Sequence, residues 1–78
     1  MPVDPDVIAA LKAVVDREPA NLPLALHLGE LLLDAGRPAD ALAQSRRVLE
    51  RAPADPSALE LERRAAAAAG RGGGLRLL

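Results

Sequence analysis

The residues able to do chemistry are few, and their spacing builds no reaction centre. His27 is the single histidine, and one imidazole without further ligands at metal spacing holds no metal ion. Asp4, Asp6, Asp16 and Glu18 lie near one another in the chain. Paired carboxylates do general acid and base work when a cleft drives their pKa values apart. These four flank Pro5 and Pro19 at chain reversals, where carboxylates cap helices and stay solvated. There is no cysteine, hence no thiolate nucleophile, thiolate metal site or disulfide framework. The run Gly70-Arg71-Gly72-Gly73-Gly74 invites comparison with a phosphate-cradling loop, but that loop needs Gly-Lys-Ser/Thr after a strand. It also invites comparison with an RNA-binding Arg-Gly-Gly segment, but it has no aromatic neighbour on which a base could stack. It reads as a flexible linker. The chain is therefore expected to be non-catalytic, with no cofactor and no metal.

What remains is the framework. Seventy-eight residues leave room for one small module. Half of them are apolar, without one Phe, Tyr or Trp, and an alanine- and leucine-rich chain favours helix over strand. A net charge of −1 supplies no field for nucleic acid or an anionic membrane, so neither is an expected partner. No apolar run approaches the roughly 18 residues of a membrane span, and the acidic start Met1 to Asp6 is unlike a secretory leader. A soluble, cytoplasmic module is the expectation.

Punctuation divides the chain into four helices. Asp4-Pro5 opens the first, to about Arg17, with Val7, Ile8, Leu11, Val14 and Val15 as one apolar stripe. Asn21 caps the second, Leu22 to Ala35, which stops at Gly36. The third runs from Pro38 to about Ala52, with Ala41, Leu42, Ser45, Val48, Leu49 and Ala52 inward. Asp55-Pro56 opens the fourth, which ends at Gly70, and the acid-first pair Glu60 and Arg64 gives it surface support. The helical domain is thus expected over residues 1–70. Residues 71–78 then form a Gly-rich linker and a truncated C-terminal segment, Leu75-Arg76-Leu77-Leu78.

The pattern repeats. At a shift of 34, Asp6, Ala9, Val14, Arg17, Pro19 and Ala20 fall on Asp40, Ala43, Val48, Arg51, Pro53 and Ala54. Ala35-Gly36 falls on Ala69-Gly70. Two helices in each such period, with Gly between them and Pro after the second, resemble the tetratricopeptide repeat family. The resemblance rests on Leu28-Gly29 in the first helix of the unit, Gly36 at its inner turn, Ala41 in the second helix and Pro53 at its close. One complete repeat, about 22–55, is flanked by two half repeats. The chain departs from the family at Ala25, Leu32, Pro38 and Ser45, where aromatic residues are usual, so looser packing is expected.

That resemblance implies an all-α antiparallel array, an α-solenoid fragment, whose concave surface receives a helix or extended peptide of another protein. Carried across, the partner-binding residues are Pro23, Leu26, Glu30, Leu33 and Asp34, continuing to Glu60 and Arg64. Leu26 and Leu33 can equally pack on the first or fourth helix. Leu26, His27 and Glu30 occupy the turn at which some family members clamp a chaperone's C-terminal carboxylate, and an acid there repels one. Leucines beside Glu30 and Asp34 instead suit an apolar segment carrying Arg or Lys. Two alternatives stay open, a homodimerising self-assembly element and an N-terminal accessory segment of a larger bacterial ATPase.

Overall fold

A computed structural model describes the backbone of residues 4–74 and the side chains of residues 4–70. Four helices follow one another: α1 Pro5–Arg17, α2 Leu22–Asp34, α3 Pro38–Arg51 and α4 Pro56–Gly74. Three of the four starts are capped by the side chains that the sequence offers. The Asp4 carboxylate accepts from the Asp6 amide at 2.8 Å, and the Asn21 side chain accepts from the Leu24 amide at 3.2 Å. Asp55 accepts from the amides of Ser57 and Ala58 at 2.9 and 3.1 Å. Each bond satisfies a backbone donor that has no partner inside the helix. Asn21 and Asp55 are related by the same shift that relates the helices, so the cap itself repeats.

The end of α2 is set by Gly36. Its φ of 77° lies in the left-handed region, which a residue without Cβ enters at little cost. The Gly36 amide then reaches the Leu33 carbonyl and the Arg37 amide the Leu32 carbonyl, the paired closing bonds of a Schellman cap. Gly70 behaves differently. Among the described residues Gly36 alone has positive φ, and α4 continues to Gly74 rather than stopping at Gly70. The alanine run Ala65 to Ala69 is the strongest helix-forming stretch in the chain, and each following Gly costs only about 1 kcal/mol. The linker expected at residues 71–78 therefore begins as helix, while Leu75 to Leu78 lie outside the described residues.

The short turns reverse the chain at each step, giving an all-α antiparallel array. α3 packs on α2 and on α4, α4 also touches α2, and α1 leans on α2. The core is aliphatic: Ile8 and Val15 of α1, Ala25, Leu28 and Leu32 of α2, Ala41 and Val48 of α3, and Ala58, Leu61 and Ala65 of α4. Gly29 has no space for a side chain, since a Cβ there would overlap Cδ2 of the buried Leu61 and lie 3.5 Å from Cβ of Gln44. The close approach of α2, α3 and α4 depends on it.

The stripe expected of α1 is only half used. Ile8 and Val15 are buried, but Val7 and Val14 are exposed. One neighbouring helix covers one side of α1, and a stripe wider than that contact leaves its far side in water. Ser45 is buried as expected, its hydroxyl donating to the Leu42 carbonyl at 2.7 Å.

Candidate functional site

Along α2, Pro23, Leu26, Glu30 and Leu33 recur every three or four residues and share one face, with Asp34 at its end. Leu28 and Leu32 lie on the opposite face and carry the core. Leu26, Glu30 and Leu33 are half-buried, while Pro23 and Asp34 are exposed. On α4, Glu60 and Arg64 are exposed, one turn apart. The two helices meet at this surface through one ion pair: Arg64 Nη1 donates to both oxygens of Glu30, each at 3.2 Å.

That pair corrects the support expected within α4. Arg64 reaches across to α2 instead of back to Glu60, and Glu60 pairs with Arg63. Spacing alone permits i,i+3 and i,i+4 partners equally. The choice is made by α2 lying alongside, which places Glu30 within reach of Arg64. Glu30 and Arg64 are themselves one repeat period apart, so the pair joins equivalent positions of successive repeats. Leu26 and Leu33 pack partly against the core and partly face outward. Each leucine is thus part core contact and part open surface. Asp34 makes no ion pair among the described residues.

A concavity lies on the other side of α2. It is a cleft of about 380 Å³ between α1 and α3, walled by Pro5, Ile8, Ala43 and Gln44 and floored by Leu28 and Leu32. There α1 and α3 do not close over α2. Gln44, at the wall, is largely buried, and its Oε1 has no hydrogen-bond partner. Sequence reasoning missed Gln44, because its type is polar although its position, between Ala41 and Val48, lies on the buried face of α3; its juxtaposition with Gly29 reveals it. Asp16 spans the same side, accepting from Lys12 of its own helix at 3.2 Å and from Arg47 of α3 at 3.4 Å. The hydrogen bond from the Lys12 ammonium chiefly holds the Asp16 carboxyl below its ordinary value; desolvation opposes it, and Arg47 adds to the lowering.

Among the described residues no group of three His, Cys, Asp or Glu side chains could hold a metal ion. None of their helices is long and apolar enough to cross a membrane. Four short helices in a repeat of 34, with Gly29 at a close contact, Ala41 in the core and Gly36 at the inner turn, match a protein family. The tetratricopeptide repeat model matches residues 6–69. The chain belongs to the tetratricopeptide repeat family. No curated protein and no solved structure gives a significant match.

Within a tetratricopeptide repeat, α2 and α3 form the complete unit, α1 is the second half of a preceding one and α4 the first half of a following one. Leu28, Gly29, Gly36, Ala41 and Pro53 sit at the core contact, the α2 to α4 approach, the inner turn, the α2 to α3 packing and the close of the unit. Tetratricopeptide repeats are in general modules of protein–protein interaction.

Proposed function

We propose that this chain is a non-catalytic interaction module that receives a helix or extended segment of another protein on the α2 and α4 face. The observation that carries the reading is the Glu30 to Arg64 bridge beside the half-exposed leucines Leu26 and Leu33. The bridge ties two helices of successive repeats into one continuous surface, with an apolar stripe next to fixed charges. Such a surface suits a partner that presents leucine-like anchors at helical spacing and basic residues at its edge.

The charge arrangement refines the preference for Arg or Lys in that partner. Glu30 is already engaged by Arg64, so a partner cation meets Asp34 first. The ion pairs here are exposed, and exposed pairs contribute little affinity, about 0 to 1 kcal/mol. The leucines therefore supply most of the binding energy and the acids set orientation.

Peptides selected for binding to the chain from a library of amphipathic helices test the reading. The double variant Leu26→Asp, Leu33→Asp is expected to lose at least about tenfold in affinity, roughly 1.4 kcal/mol, while its helical circular dichroism is retained. Undiminished binding by a folded double variant would refute the assignment.

A further inference from the structure

Val7, Val14 and Leu59 are the large hydrophobics exposed among the described residues, at 52%, 39% and 45%. Moved by one repeat period they fall on Ala41, Val48 and Ala25, which are 0%, 0% and 3% exposed. All three counterparts lie in the buried core, Ala25 on α2 and Ala41 and Val48 on α3, two helices that pack on each other. The exposed positions are therefore not scattered. They are the two halves of one interface, each left without its mate: α1 repeats the side that α3 turns to α2, and α4 repeats the side that α2 turns to α3.

Among the described helices, α1 is thus a second helix lacking its first, and α4 a first helix lacking its second. We infer that copies associate head to tail, α4 of one copy packing on α1 of the next, so that the two half repeats complete a tetratricopeptide unit between chains.

Side-chain sizes and charges agree with this occupant. Gly29 and Gln44 are neighbours inside the chain, a Cβ on the glycine lying 3.5 Å from Cβ of Gln44. Their counterparts are Arg63 and Ala10, so the large and small partners are exchanged across the contact. Arg63 extends its apolar stem where Ala10 leaves room, with its head at the edge. Ala66 stands in for Leu32 and Val7 for Ala41, again trading bulk from one side to the other. The ladder of equivalent positions runs Glu30, Arg64 and then Glu30 of the following copy, which places an acid on each side of Arg64. Against this, Glu62 replaces Leu28, so the contact between chains is weaker than that within one.

A heterologous contact that carries on the rotation of a solenoid builds an open array rather than a closed pair. It yields a concentration-dependent series of oligomers, where the alternative reading of the sequence is a homodimer. It also leaves the α2 and α4 binding face open, so its failure and that of the proposed function are separate.

The test uses the chain of residues 1–78, with molar mass followed by sedimentation over about a hundredfold range of concentration. One variant, Val7→Asp with Val14→Asp, blocks the α1 face; another, Leu59→Asp with Ala66→Asp, blocks the α4 face. The unaltered chain is expected to rise to at least about twice its monomer mass, through dimer and larger species. Each variant alone stays monomeric, because its intact face has no mate. An equimolar mixture of the two gives a heterodimer and nothing larger. A monomeric unaltered chain, a variant that still dimerises by itself, or a mixture that fails to associate would each overturn the inference. If helicity falls in an aspartate variant, serine at the same positions replaces it and the same outcomes are required.

Discussion

Asp16 shows how a single exposed carboxylate joins two helices that otherwise stand apart. It accepts from Lys12 one turn earlier on α1 and from Arg47 on α3, and its pKa is lowered chiefly by the Lys12 bond. A folded pKa below the unfolded value contributes stability that is complete above the unfolded value of about 4 and is lost as pH falls through the folded one. Lys12→Met is therefore expected to raise the Asp16 pKa and to flatten the acid limb of the stability curve. A carbon-detected carboxyl titration, with unfolding followed across the same acid range, checks both. Gly36 gives the other prediction at this scale. Its left-handed φ of 77° makes Gly36→Ala destabilising by about 1 kcal/mol although the site is open, and Gly36→Asn by less; chemical denaturation separates the three chains.

Helix by helix, the sequence declared starts better than ends or neighbours. Asp4, Asn21 and Asp55 cap where their types and the following prolines say they should, because capping is a local bond within a few residues. The close of α2 at Gly36 was legible for the same reason. Gly70, an equal signal, did not stop α4, since a glycine permits a left-handed cap without requiring one and the alanine run before it favours continuing. The α2 and α4 face was legible as a stripe, but the partner of Arg64 was not, because it depends on the distance between two helices. Val7 and Val14 likewise read as core because apolar period shows which way a side chain faces and not what covers it. Helix packing also explains Gly29, where any side chain meets the buried Leu61. Gly29→Val is expected to cost about 1 to 3 kcal/mol through overpacking, measured as a lower midpoint of urea unfolding. An unchanged or raised midpoint would mean that α2 and α4 are less closely applied.

On the scale of the whole molecule, a small aliphatic core is divided among one complete repeat and two halves. A chain of this length buries only about 60 to 65% of its unfolded surface, and repeat units draw much of their stability from neighbours. The two proposed surfaces occupy different parts of this frame. The α2 and α4 face collects Leu26, Leu33 and the Glu30 to Arg64 bridge on one side. The unmated helices α1 and α4 lie at the ends, and the cleft between α1 and α3 opens on the far side of α2. The most direct test of the central claim is an amide-resolved NMR titration of the isotope-labelled chain with a selected helical peptide. The account predicts that shifts concentrate at Leu26, Glu30, Leu33, Glu60 and Arg64, with Asp34 and the neighbours of Pro23, which has no amide proton, marking the edges. Shifts gathered instead at Ile8, Ala43 and Gln44, with the α2 and α4 face silent, would contradict it and move the binding site to the cleft.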